Sequence, residues 1–191
     1  PPGLSPVTFS PRAVEFVTSR KTKCQSWYLD LSLLFAYWGD GKANTRVFHH
    51  TGPITMIYAM REALRIALEE GLEARFARHR KAHEAFVAGL EAMGLTLFTK
   101  GKRLPMLNVI NIPEGIDDLA IRRRLLEQNI EISGGFGPLA GRVWRVGLMG
   151  VNANPAPVIT LLSALETALA EQGYRCERGA AVAAAREVYK R

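Results

Sequence analysis

Two stretches of helical period separated by one glycine constrain this chain most. Ile57, Met60, Leu64 and Leu68 recur at three- and four-residue spacing. After Gly71 the pattern resumes as Leu72, Phe76, His79, His83, Phe86 and Leu90, until Met93-Gly94 stops it. Pro53 stands where a first helical turn accepts proline, so the spacing predicts a helix over about 53–70 and a second long one over 72–93.

The flanks differ in kind. Upstream, Val7-Thr8-Phe9 reads as a short strand, Pro11 to Thr18 as a short helix, and Trp27 to Trp38 as a mostly helical, well-buried aromatic segment. Downstream, Leu107 to Ile112 reads as a strand ended by Pro113-Glu114-Gly115, followed by a capped helix from Asp117 to about Gln128. Ile130-Glu131-Ile132 and Val143 to Leu148 supply two more strands around a glycine-rich loop, and Pro155 to Gln172 another amphipathic helix. A small α+β domain is therefore expected at 94–173, joined through connecting helices at 53–93 to a remnant of another domain at 1–52. Residues 174–191 form a tail with a short helix.

With 191 residues, 48% hydrophobic and 23% charged, the chain can bury a real core, and disorder is excluded. It holds no apolar run of membrane-spanning length. Cys24 and Cys176 are far apart and without neighbouring thiols, which fits a reduced, cytoplasmic protein rather than a disulfide framework or thiolate zinc site. The opening Pro1-Pro2-Gly3 carries no initiator methionine and no signal pattern, so the chain is expected to begin mid-protein.

The formal charge of +7 raises nucleic acid, anionic lipid or a small acidic ligand as partners. Charge alone does not choose among them, and its distribution points to an ordinary solvated surface. Arg61, Arg65, Arg75, Arg78, Arg80 and Lys81 interleave with Glu62, Glu69, Glu70, Glu73 and Glu84, as on a solvated helix face. The triplet Arg122 to Arg124 behind Asp117 and Asp118 suits a helix dipole. A non-enzymatic basic binding module would need exposed aromatics among its basic residues, and Trp27, Tyr28, Phe35, Tyr37 and Trp38 read as buried. No nucleic-acid or membrane partner is expected.

Three groups of residues can carry chemistry. In Phe48-His49-His50-Thr51-Gly52-Pro53 a hydroxyl and free amides stand before a helix, a place that either caps the helix or binds phosphate. Arg145 sits mid-strand, on the face opposite Trp144, Val146 and Leu148. Its planar fork matches a carboxylate, whether of a substrate or of an internal salt bridge; an edge-exposed side chain is the further alternative. The loop Ser133-Gly134-Gly135-Phe136-Gly137-Pro138-Leu139-Ala140-Gly141 permits close backbone approach to a ligand but lacks the spacing of a nucleotide-binding loop; a plain turn is the alternative. His79 and His83 stand one helical turn apart without a third ligand, and His49 and His50, being adjacent, are expected to point in different directions. No metal is expected, and no nucleophile-base pairing supports hydrolysis.

The succession Pro1-Pro2-Gly3, Ser19-Arg20-Lys21, Tyr28-Leu29-Asp30, Phe48-His49-His50-Thr51, Arg61-Glu62-Ala63-Leu64, Gly134-Gly135-Phe136-Gly137 and Trp144 to Gly150 resembles the C-terminal half of class V aminotransferases. Within them it is similar to the alanine-glyoxylate and serine-pyruvate (serine-glyoxylate) enzymes. The resemblance implies an α/β fold, part of a fold-type-I transferase dependent on pyridoxal 5′-phosphate. It further implies a homodimer with active sites between subunits, exchanging an amino group between a small amino acid, alanine or serine, and a 2-oxo acid, glyoxylate or pyruvate. On the same resemblance Thr51 would hold the cofactor phosphate of the neighbouring subunit, Arg145 would bind the substrate carboxylate, and Gly134 and Gly135 would lie near the site. The runner-up is a lyase or desulfurase of the same fold, disfavoured because neither cysteine lies in a loop resembling that chemistry.

Two departures stand out. Relatives often carry tyrosine before His-His-Thr and use its hydroxyl on the phosphate, where this chain has Phe48. The family's Schiff-base lysine lies a few residues before Pro-Pro-Gly, hence before Pro1; none of Lys21, Lys23, Lys42, Lys81, Lys100, Lys102 or Lys190 sits in that context. The chain by itself is therefore expected to be inactive.

Overall fold

The computed structural model describes residues 3–38 and 47–191; Pro1, Pro2 and Lys42 lie outside the described residues. The chain divides into two compact units, Pro1–Glu69 and Glu70–Arg191.

The first unit holds helices α1 (Pro11–Thr18), α2 (Leu31–Trp38) and nearly all of α3 (Ile54–Glu70). Ser10 starts α1 by accepting the Ala13 N–H on its hydroxyl at 3.2 Å, with Pro11 behind it. The expected strand at Val7-Thr8-Phe9 does not form. The segment is irregular, and Val7 and Phe9 are exposed, because no neighbouring strand among the described residues offers its backbone a ladder. The aromatic segment also departs from expectation. Helix α2 begins only at Leu31, where Asp30 Oδ1 accepts the Ser32 N–H at 2.9 Å, and Leu31 is its one fully buried residue. Trp27, Tyr28 and Trp38 stay more than half exposed, so this stretch is not a core helix. Helix α3 forms as its period predicts, yet none of its residues is buried, and Ile57, Leu64 and Leu68 of its apolar stripe are open.

Gly71 ends α3 and opens α4 (Leu72–Ala92) from φ +79°, a left-handed conformation that glycine adopts without a Cβ penalty. The second unit then builds a three-stranded antiparallel sheet of order β1-β3-β2, from β1 (Leu107–Asn111), β2 (Ser133–Gly134) and β3 (Val143–Gly147). Between β1 and β2 runs α5 (Asp118–Leu126), capped by Asp117, whose Oδ1 accepts the Ala120 N–H at 2.9 Å. The strand expected at Ile130-Glu131-Ile132 is displaced to Ser133–Gly134. Asn129 turns into the left-handed region and Ile130 N–H bonds back to Leu125 C=O at 3.0 Å, so Ile130 closes the helix rather than joining the sheet.

Two helices complete this unit, α6 (Pro155–Glu171) and α7 (Ala180–Lys190). Trp144, Phe86, Ile110, Leu162 and Leu165 are wholly buried between sheet and helices, and the tail helix α7 inserts Ala181 and Ala185 into the same core against α4 and α6. Glu166 of α6 anchors the start of α7 by accepting the Gly179 N–H at 2.5 Å. Of the helical charges, Arg65 pairs with Glu62 and Glu69 on an exposed surface, as expected. Arg78 leaves that pattern. It bonds Glu70 at 2.5 Å and donates to the carbonyls of Gly150 at 2.7 Å and Ala153 at 3.1 Å, clamping the turn that follows β3 onto α4.

Candidate active site

Thr51 is exposed immediately ahead of α3, at the positive end of a 17-residue helix dipole. The segment leading to it is held by stacked aromatic rings. His49, 5% exposed, lies flat on Trp27 with centroids 4.0 Å apart, and its Nε2 donates to the Trp27 carbonyl at 3.1 Å. With Nε2 carrying that proton, His49 Nδ1 accepts from His50 Nδ1 at 2.8 Å. The two histidines therefore converge, contrary to the expectation that they diverge, because the chain there is irregular rather than extended. His50 in turn packs edge-on against Tyr28 at 5.2 Å. Thus the aromatics expected in a core instead seat the loop that delivers Thr51. Phe48 is 71% exposed, with its ring edge-on to Tyr37 at 6.2 Å. A hydroxyl beside first-turn amides lacking helical acceptors is a donor set that fits a phosphate.

Arg145 lies in the central strand, opposite Val109 on one side and Ser133 on the other. It is half-buried, and no carboxylate among the described residues lies within salt-bridge distance of it. An internal ion pair is thus not what occupies it. Its Nε donates to Gly134 C=O at 2.8 Å, and its guanidinium carbon sits 3.8 Å from the Phe136 ring centroid. With Nε committed, the fork presents its two terminal amino groups, the edge that meets a carboxylate end-on.

Gly134 is itself fixed from behind. It pairs with Trp144 across β2 and β3, and a Cβ on it would lie 3.3 Å from Asp118 Oδ2 and 3.6 Å from Arg122 Cζ. Asp118 accepts from the buried Trp144 indole at 3.0 Å and from Arg122 Nε at 2.8 Å, and this bond to its carboxylate draws the Arg122 guanidinium pKa further up. Gly135 admits no side chain, since a Cβ there would lie 2.0 Å from Leu139 O. The sequence marks Asp118 only as a helix-start acid and Phe136 only as a loop residue. No periodicity links either to Arg145.

Both nitrogens of His79 are engaged. Its Nδ1 donates to Arg75 C=O at 2.7 Å and its Nε2 accepts the Gly150 N–H at 3.2 Å, while His83 Nδ1 meets Asn108 Oδ1 at 2.7 Å. No group of three or more potential metal ligands occurs among the described residues. No helix among them is long and apolar enough to cross a membrane. Thr51 belongs to the first unit and Arg145 to the second.

No family model matches the chain. Curated relatives do. The (S)-ureidoglycine–glyoxylate transaminase of Bacillus subtilis is 39% identical over 210 residues, covering all of this chain and 50% of the relative. The alanine–glyoxylate aminotransferase of Callithrix jacchus is 43% identical over 173 residues, covering 88% and 41%. Among solved structures, ureidoglycine-glyoxylate aminotransferase from Bacillus subtilis superposes with a TM-score of 0.87 at 42% identity, over 96% of this chain and 47% of that one. The chain spans about half the length of the curated relatives it matches. Its mixed helix and sheet is part of the α/β fold of these pyridoxal-phosphate-dependent transferases. By this likeness, which runs through both units, the chain belongs to the class V aminotransferases.

Proposed function

We propose that the complete protein transfers an amino group from a small α-amino acid to glyoxylate, with Thr51 holding the cofactor phosphate of the neighbouring subunit and Arg145 the substrate carboxylate. The observation that carries this reading is the Arg145 fork, half-buried, oriented by Gly134 and without a carboxylate partner among the described residues. Glyoxylate appears in the names of both relatives, whereas their donors differ, alanine in one and ureidoglycine in the other. Both donors, and the serine that the family resemblance also implies, carry an amino group next to a carboxylate, the group the fork fits. Pyruvate remains the alternative acceptor.

Bound pyridoxal 5′-phosphate supplies the electron sink and amino carrier. The rest falls to protein groups. The Thr51 hydroxyl donates to a phosphate oxygen, adding to the attraction of the α3 dipole. Arg145 would fix the substrate by its carboxylate and so orient the α-carbon beside it. Gly134 and Gly135 let the loop run close beside that carboxylate. None of the chain's lysines stands in the context of the family's Schiff-base lysine, so movement of the α-proton is given to none of these residues.

A homodimer with shared sites accompanies this reading. It is supported by Ile57, Leu64 and Leu68, an apolar stripe on α3 that a second copy would cover. A cytoplasmic setting is proposed from the isolated, unpaired cysteines.

The test is Arg145→Ala in the complete protein, assayed with alanine, serine and ureidoglycine against glyoxylate. Loss of a charge partner for a bound carboxylate should cut kcat/KM about thirtyfold or more with every competent donor. Unchanged kcat/KM would overturn the assignment.

A further inference from the structure

We infer that Phe136 is a positioning residue for the substrate carboxylate, acting through the Arg145 guanidinium on which its ring is stacked. The inference rests on the reading of Arg145 given above and adds a residue that neither the motif pattern nor the relatives' names assign.

Phe136 is 72% exposed, so its ring is not spent on the core of this unit. It is nevertheless held in place. Gly135 before it is pressed against Leu139 O so closely that no Cβ fits, and Leu139 N–H bonds back to Phe136 C=O at 3.0 Å. The ring centroid then lies 3.8 Å from Arg145 Cζ, the distance of a face-on cation–π contact.

A guanidinium tethered only through Nε can still swing its plane. Here Gly134 C=O fixes the Nε end at 2.8 Å and the Phe136 face fixes the plane. One face of the cation is closed to water by the ring. The terminal amino groups are left as the approach for an anion, which must arrive in the guanidinium plane. Arrival in that plane is what a bidentate carboxylate requires, and the closed face reduces the water that competes for the fork.

This role acts on binding of substrate and transition state alike, so it should be read in KM rather than kcat. In the complete enzyme, Phe136→Ala should raise KM for both the amino donor and the 2-oxo acid about three- to tenfold, the scale of one cation–π contact, with kcat changed less than about twofold. Phe136→Leu keeps an apolar side chain without an aromatic face and should raise KM equally. Phe136→Tyr keeps the face and should leave KM unchanged.

Melting temperature and bound-cofactor absorbance, measured on each variant, separate misfolding from the effect. Should the alanine variant fail to fold, the leucine and tyrosine pair decides the matter. A leucine variant with wild-type KM would overturn the inference, since simple packing would then suffice. Arg145→Ala run alongside keeps the two claims apart. If it leaves KM and kcat/KM unchanged, the carboxylate reading itself fails. If it impairs both while the Phe136 variants do not, only the role of Phe136 falls.

Discussion

Gly89 and Leu162 meet so closely that no side chain fits between α4 and α6: a Cβ on Gly89 would lie 2.4 Å from Leu162 Cδ1 and 3.0 Å from Ala181 O. Both residues are buried and the opposing Ala181 carbonyl is backbone, so neither side can give way freely. Gly89→Ala should therefore destabilise the second unit by about 1–3 kcal/mol through overpacking, despite alanine's better helix propensity. A denaturant melt that showed the variant as stable as wild type would contradict this packing.

Arg78 first, and then Arg75, hydrogen-bond the Glu70 carboxylate and bring its pKa from an ordinary 4.5 to about 2, against the opposing effect of desolvation. Because the folded value is the lower one, the stabilisation is complete above the ordinary value and disappears as pH falls through the folded value. Wild type should therefore exceed Glu70→Gln in melting temperature at neutral pH, with the gap closing between pH 4.5 and about 2. A gap independent of pH would show that the clamp on Gly150 and Ala153 does not need the charge.

Thr51→Val removes the proposed phosphate donor while keeping the side-chain shape. In the complete protein the dissociation constant for pyridoxal 5′-phosphate should rise about tenfold or more, the scale of one hydrogen bond to a charged group, and Thr51→Ser should restore it. Phe48→Tyr, which adds a hydroxyl beside the histidine pair, should tighten binding. Absorbance titration of apoprotein reads all three, and an unaltered constant in Thr51→Val would remove the residue from the phosphate site.

Asp118 serves Arg122 and Trp144 together, and the two demands can be separated. Asp118→Ala leaves the Trp144 indole N–H without its acceptor in a fully buried position and should cost about 1–3 kcal/mol. Asp118→Asn retains an acceptor oxygen for the indole and should cost less. Equal losses in urea titrations would place the energy in the Arg122 pair instead.

Much of the fold is legible in local pattern. The α3 and α4 spans follow from apolar spacing, their junction from Gly71, and the start of α5 from Asp117, because each depends on neighbours within one or two helical turns. Local pattern fails where a partner is needed. Val7 to Phe9 has strand composition but no strand beside it, and Ile130 is diverted by the helix end before it can pair. Trp27 and Tyr28 have the composition of a core and instead form the seat of His49 and His50.

The site divides in the same way. Thr51 ahead of a helix and Arg145 in mid-strand are visible in the order of residues, as is the likeness to class V aminotransferases, because motif and alternation are properties of adjacent positions. Whether Arg145 would be paired, which of its nitrogens would stay free, and that Phe136 and Gly134 would hold it were decided only by folding. Those contacts join β2 and the loop after it to the middle of β3, and Asp118 of α5 to Trp144, across gaps in sequence that no period spans. Tertiary packing alone sets such distances, and they determine whether a cation is spent inside the protein or kept for a ligand.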